Sequence, residues 1–238
     1  AIQNAYYGFA GRVEDMAFLI PTFLLNSTLP ILTQRLSEKT DVRSLLGKTF
    51  FILLLSGTIF FLFSYLWAKP FTLMFATDHY LSAADHAGAD TAFELMSVPM
   101  FFNGFVLFSF YVFLAQHAWK KLTATFGLGV ILTVVLNLLW TPAWGFVGAG
   151  LAAIVTHVFL TLILLPQTLL SAPMNFGWRE FRQWLLFALI LGMILFWSAP
   201  LLTSALRTVV AGTLMLGVLG ILTYGLGIHT NLRTQDEK

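Results

Sequence analysis

Cysteine is absent from this chain, which excludes disulfides, thiolate metal sites and cysteine nucleophiles. Charge is nearly absent too. Asp, Glu, Lys and Arg make up 10% of the 238 residues, against about 25% in soluble domains. Residues 122–178, a run of 57, contain none of the four. With 58% hydrophobic residues, a soluble fold could not cover its apolar surface. The net charge of +2 and pI near 9 are no nucleic-acid signal, because the basic residues sit between apolar spans. Ser–His–Asp groupings, paired catalytic carboxylates and a phosphate-binding Walker loop are all missing. With short loops as well, the pattern does not read as an enzyme.

What remains is apolar sequence in lengths that fit a bilayer. About 20 apolar residues span about 30 Å of hydrocarbon, so residues 122–178 read as two crossings and a turn. Further uncharged spans cover residues 16–34, 49–68, 95–116, 183–206 and 208–232. Uncharged runs of this length favour helices over barrel strands, which alternate polar and apolar residues. The expectation is an all-α polytopic bundle of about seven helices, over residues 5–35, 48–68, 91–117, 122–141, 146–170, 183–202 and 206–228. Residues 1–170 form one transmembrane bundle of five helices. Residues 171–238 add two more helices and a tail. Thr141-Pro142-Ala143-Trp144-Gly145 marks the break inside the long uncharged run, and Trp140 and Trp144 suit a membrane–water interface. The chain opens at Ala1 inside a pattern, without an initiator Met or a signal peptide, and so reads as part of a longer protein.

Ten basic residues fall in one set of loops: Arg35, Lys39, Arg43, Lys48, Lys120, Lys121, Arg179, Arg182, Arg233 and Lys238. Lys69, Arg207 and Arg12 fall on the opposite side. The positive-inside rule puts the ten, and the C-terminus, in the cytoplasm. Asp78, Asp85 and Asp90 then face outside.

Arg12 is the sharpest single residue. At 100° per residue, Gly8, Arg12, Asp15, Thr22 and Asn26 share one face of the first helix, and Glu14 points roughly opposite. A polar stripe on an apolar span faces a cavity or a bundle interior, where Arg12 could grip an anionic group. The competing reading places Arg12 at the outer interface, snorkelling and paired with Asp15. Pro21 and Pro30 each remove a backbone donor, as hinges or as ordinary membrane-helix kinks. The fifth span opens with two rows of small residues: Gly145, Ala149 and Ala153, and Gly148, Ala152 and Thr156. Small residues at this spacing let helices approach closely. Asp78-His79 and Asp85-His86 lack familiar metal-ligand spacing and read as a solvated loop. His157 suits a helix hydrogen bond better than a proton relay. No cofactor is expected.

Two segments resemble the multidrug/oligosaccharidyl-lipid/polysaccharide exporter superfamily. The first is Tyr6-Tyr7, then Ala10-Gly11-Arg12, Ile20-Pro21 and Leu29-Pro30-Ile31-Leu32-Thr33-Gln34-Arg35-Leu36. It is similar to the helix near the start of the second lobe of polysaccharide flippases. The second is Asn137-Leu138 followed by the run Pro142 to Ala153. It is similar to a helix junction of the same proteins. The loop from Asp78 to Ala84 adds a looser match. The resemblance covers about 170 residues and implies most of a second lobe, without its opening helix. The last two helices resemble a pair appended in lipid II flippases and some polysaccharide exporters. Lipid II flippases carry an Asp immediately before the equivalent Arg, where Gly11 stands here.

The implied function is export, by flipping, of a lipid-linked oligosaccharide or polysaccharide precursor across a bacterial or archaeal cytoplasmic membrane. The implied substrate is a polyprenyl-diphosphate-linked sugar, met by Arg12, Asp15 and Asn26. The implied partners are membrane lipids and a missing N-terminal lobe, with no nucleic acid. Pro21, Pro30, Pro142, Gly145 and Gly148 serve packing or hinge roles. Two alternatives stay open: a drug/cation antiporter of the same superfamily, and a non-transporting scaffold for cell-envelope synthesis. The antiporter needs cavity carboxylates; Glu14, Asp15 and Glu94 are the candidates, and none reads as deep.

Overall fold

The computed structural model describes residues 2–76, 78–83 and 86–228. Asp85 and the tail with Arg233 and Lys238 lie outside the described residues. The helices are α1 (Ile2–Ser37), α2 (Arg43–Leu66), α3 (Ala68–Phe75), α4 (Ala89–Ala115), α5 (Trp119–Trp144), α6 (Phe146–Ser171), α7 (Trp178–Ser198) and α8 (Ala205–Gly225). No strand occurs among the described residues. Seven of these helices are long and apolar enough to cross a membrane. The chain is an all-α, multi-pass membrane helix bundle.

Beside α2, which begins five residues early at Arg43, three local features differ from the sequence expectation. Helix α3 is a separate eight-residue piece, broken from α2 at Trp67, whose φ of −107° and ψ of 20° interrupt the helix. Helix α7 begins five residues early, at Trp178, because Glu180 folds back onto the Gly177 amide at 2.9 Å and caps its first turn. Pro142 does not end α5. Its missing N–H costs one intrahelical bond, and the helix runs on to Trp144. The break falls on Gly145 alone, at φ 58°, a left-handed value open to glycine. Pro21 and Pro30 likewise lie inside the unbroken run of α1.

Helix directions follow from paired contacts. Phe9 meets Phe93 at 5.5 Å between ring centres, and the Tyr111 hydroxyl donates to Asn26 Oδ1 at 2.5 Å. These pairs are separated by 84 and 85 positions, so α1 and α4 run parallel in constant register. Gln116 to the Ser171 carbonyl and Thr161 to the Phe102 carbonyl make α4 and α6 parallel. Thr133 and Thr156, 3.0 Å apart, lie in an antiparallel α5–α6 hairpin. Trp184 to Thr58 and Trp67 to Leu195 set α7 parallel to α2. Alternating crossings satisfy all four relations. They gather Arg35, Lys39, Arg43, Lys48, Lys120, Lys121, Arg179 and Arg182 at one end, the basic end. Arg12, Lys69 and Arg207 lie at the opposite end.

The core has several apolar clusters. Leu25, Leu32, Phe50, Leu53, Phe105 and Phe108 join α1, α2 and α4. Tyr6, Ala10, Ala92, Phe93, Met96 and Phe146 join α1, α4 and α6 near the opposite end. Phe113, Leu122, Leu160 and Leu164 tie the α5–α6 hairpin to α4. Trp67, Phe187, Leu191, Leu195 and Met215 attach α7 and α8 to α2 and α3.

Candidate functional site

Helix α1 has two unlike faces. Tyr6, Ala10, Glu14, Pro21, Leu25, Thr28 and Leu32 are buried, at the three-, four- and seven-residue steps of one helix face. Gly8, Arg12, Asp15, Leu19, Phe23 and Asn26 are exposed, with Thr22 half-buried. The polar stripe expected from the sequence is therefore the uncovered face of α1.

Arg12 lines a recess of about 420 Å³ at the end opposite the basic one. Asn4, Gly8 and Phe9 on α1 form one wall. Phe75 at the end of α3 and Tyr80 in the following turn form the other. Ring contacts from Phe9 to Phe75 and Tyr80, at 6.4 and 6.2 Å, hold the walls together. A guanidinium at such a mouth can present paired donors to phosphate or carboxylate oxygens. Among the described residues, no ion pair joins Arg12 to Asp15. Asp15 is exposed and does not line the recess. Asn26 is 14 residues beyond Arg12, about 21 Å along the helix at 1.5 Å per residue. Its side chain is held by Tyr111 on α4. The structure thus brings Arg12 to a recess, and does not gather Asp15 and Asn26 around it.

Glu14 is the residue whose placement the sequence conveyed least. It is 8% exposed, on the face of α1 turned into the bundle. The sequence angle set it roughly opposite Arg12, and that is the face that Ala10, Pro21 and Leu25 bury; that the face is covered was not legible. Glu94, by contrast, is exposed.

The loop after α3 closes over α1 rather than standing free in solvent. The Tyr6 hydroxyl donates to the His79 carbonyl at 3.1 Å, and Tyr6 packs on Tyr80 and His86. Asp90 accepts from the Ser82 amide and hydroxyl at 2.8 and 2.6 Å. No group of three His, Asp or Glu that could hold a metal is gathered among the described residues. His157 Nδ1 lies 2.9 Å from the Ala153 carbonyl, a bond within its own helix.

Of the two small-residue rows on α6, one makes the buried seam: Gly148, Ala152 and Thr156 are buried, while Gly145, Ala149 and Ala153 are half-buried. A Cβ at Gly148 would run into the Trp140 carbonyl and the Thr141 backbone, and one at Gly145 into the Gln3 side chain. Two anchors were not anticipated. Trp67 Nε1 lies 3.2 Å from both the Leu195 carbonyl and Ser198 Oγ, and Trp184 Nε1 donates to Thr58 Oγ1 at 2.8 Å. The only sequence signal for them was Trp within or beside a span, which equally suits an interface. No family model matches the chain, and no curated protein matches it.

Proposed function

We propose that this chain is part of a flippase that exports a lipid-linked oligosaccharide or polysaccharide precursor across a cytoplasmic membrane by alternating access. The observation that carries the reading is Arg12, exposed in a recess on the uncovered face of an otherwise apolar span. A fixed cation there suits the diphosphate of a polyprenyl-linked sugar. The motifs around Tyr6–Leu36 and Asn137–Ala153 support the same superfamily. On this reading α1 to α6 form most of one lobe, and the open face of α1 looks toward a second lobe across the cavity. The positive-inside rule puts the basic end in the cytoplasm, so the Arg12 recess opens outside. The protein binds and moves its cargo without chemistry on it. A lipid-facing Arg12 with no recess would have favoured a scaffold role; the recess supports the transport reading instead.

One observation favours the drug/cation antiporter instead: the buried carboxylate of Glu14. An organic-cation site needs such a group.

The Arg12 series separates the two readings. In the full-length protein, Arg12→Ala should lower export of the lipid-linked sugar by about 10- to 100-fold, the loss of a charge-assisted hydrogen bond of about 1.5–3 kcal/mol. Protein level in the membrane should be unchanged. Arg12→Lys should keep part of the activity, and Arg12→Glu none. Asp15→Asn should be mild. Complementation of an export-deficient strain reads all four. Wild-type export by Arg12→Ala would defeat the reading and leave Arg12 as an interfacial residue.

A further inference from the structure

A second recess, of about 510 Å³, lies at the same end of the bundle as that of Arg12 and shares no residue with it. Lys69 and Pro70 at the start of α3 form one wall. Asp78 and Leu81 in the turn after α3 form another, and Pro200 and Thr203 in the α7–α8 connection a third. Trp67 keeps these walls together. Its backbone divides α2 from α3, and its indole bonds to Leu195 and Ser198 at the end of α7, so the start of α3 stays beside the α7–α8 connection. Arg207 reaches the rim, where its Nη1 donates to Thr203 Oγ1 at 3.1 Å.

The recess carries both signs of charge. Lys69, Asp78 and Arg207 are all exposed. Among the described residues, no ion pair or hydrogen bond joins the Asp78 carboxylate to Lys69 or Arg207. Snorkelling accounts for each cation singly, since Lys and Arg near the end of a span reach for the interface. It does not account for a carboxylate brought to the same recess from a separate element. Two cations and one anion that do not pair with each other fit a ligand carrying the opposite signs on one small frame. The floor is apolar and leads into the bilayer: Leu202 is shared with an open groove along α8, past Leu206, Val210 and Leu214. The ligand therefore has a zwitterionic head and an apolar tail. A phosphodiester accepts charge-assisted hydrogen bonds from Lys69 and Arg207, and a primary ammonium has three N–H donors for Asp78. A choline headgroup has no N–H to give. A glycerol headgroup would set a phosphate beside Asp78 with no cation of its own to offset it.

We propose that this recess binds the headgroup of one phosphatidylethanolamine, with its phosphate on Lys69 and Arg207, its ammonium on Asp78 and an acyl chain along the α8 groove. The positive-inside rule puts this lipid in the outer leaflet. It belongs to the surrounding membrane and is not the cargo, so the site goes beyond the export reading and does not depend on it. Seated there, the lipid ties the α7–α8 connection to α3 beside the Trp67 anchor.

Native mass spectrometry of the full-length protein tests this, with dioleoyl phosphatidylethanolamine, phosphatidylcholine or phosphatidylglycerol added at equal concentration. The wild type should retain one phosphatidylethanolamine about tenfold more tightly than either other lipid, the worth of one charge-assisted hydrogen bond. Asp78→Asn should remove that preference. Lys69→Ala and Arg207→Ala should weaken retention of all three lipids, and Lys120→Ala at the basic end should change nothing. The substituted side chains are exposed, and the comparison of lipids on the wild type needs no variant. Equal retention of the three lipids, or a preference that survives Asp78→Asn, would overturn the proposal. Tightest retention of phosphatidylglycerol would overturn it in favour of a site for anionic lipid. Displacement of the lipid by an equal concentration of water-soluble glycerophosphoethanolamine would overturn the membrane as the source. The expected preference, in a protein that moves no lipid-linked sugar, would leave this site standing while the export reading fell.

Discussion

The α5–α6 hairpin and the α7–α8 pair are both helix pairs of similar length, held in different ways. In the hairpin, Gly148, Ala152 and Thr156 bring two backbones together, and Thr133 bonds Thr156 across the seam. Helices α7 and α8 do not grip each other in this manner. Helix α7 docks on α2 and α8 on α3, through large side chains and the two indole donors of Trp67 and Trp184. Lipid tails are as apolar as leucine, so the hydrophobic effect does not join helices within the bilayer. Close backbone packing and side-chain hydrogen bonds remain: the hairpin relies mainly on the first, beside its Thr133–Thr156 bond, and the α7–α8 pair on the second. A seam of backbones has no slack, whereas a seam of side chains can yield.

The largest expected effect is therefore in the hairpin. Gly148→Leu sets a branched side chain against the Trp140 carbonyl and the Thr141 backbone, which cannot retreat without unwinding the end of α5. The cost is about 3 kcal/mol or more, at the upper end for overpacked cores. Folded protein in the membrane should fall sharply, measured as the monodisperse fraction after solubilisation. Normal yield of Gly148→Leu would mean that backbone contact is not what holds the hairpin.

Trp67→Phe should come next. Trp67 is fully buried at the α2–α3 break, and its indole is shared between the Leu195 carbonyl and Ser198 Oγ. Phenylalanine removes the donor and leaves a void. The loss should be about 1–3 kcal/mol, combining a hydrogen bond with part of a cavity term. Ser198 keeps its bond to the Leu195 carbonyl at 3.0 Å, so no polar group is stranded. Thermal unfolding of the solubilised full-length protein should show a lower midpoint with unchanged yield. Cysteine pairs placed between α7 and α2 should cross-link less efficiently.

The same contrast explains what was readable from the sequence. Spans were legible because hydropathy over 20 residues is a property of the segment itself. Small-residue rows were legible as candidates, but choosing between Gly145–Ala149–Ala153 and Gly148–Ala152–Thr156 required knowing where the neighbouring helix lies. The polar face of α1 followed from angle alone. That Arg12 has a recess and Asn26 has Tyr111 did not, because α3 and α4 supply those partners from 63 or more positions away. Helix α3 was hidden by its length. Lys69 and Pro70 close the second span at residue 68, and the eight residues 68–75 are too few to read as a span of their own. The burial of Glu14 was overlooked because a charged residue near a helix end reads as interfacial by default.

Trp184→Phe should have the smallest effect of the three, and it tests the contrast most closely. The indole reaches across from α7 to Thr58 on α2, at 2.8 Å. Thr58 also donates to the Leu54 carbonyl at 2.7 Å, so it stays satisfied when the indole goes. Interhelical hydrogen bonds in membranes average about 0.6 kcal/mol for this reason: each partner finds a second bond. Trp184 is only half-buried, so less volume is lost than at Trp67. A double-mutant cycle with Thr58→Val isolates the pair from its packing. Coupling of about 0.6 kcal/mol is expected, with the sum of the single effects exceeding the double. Zero coupling would mean that apolar contact alone seats α7 here. The distinction between a backbone-packed hairpin and a donor-anchored pair would then rest on Trp67.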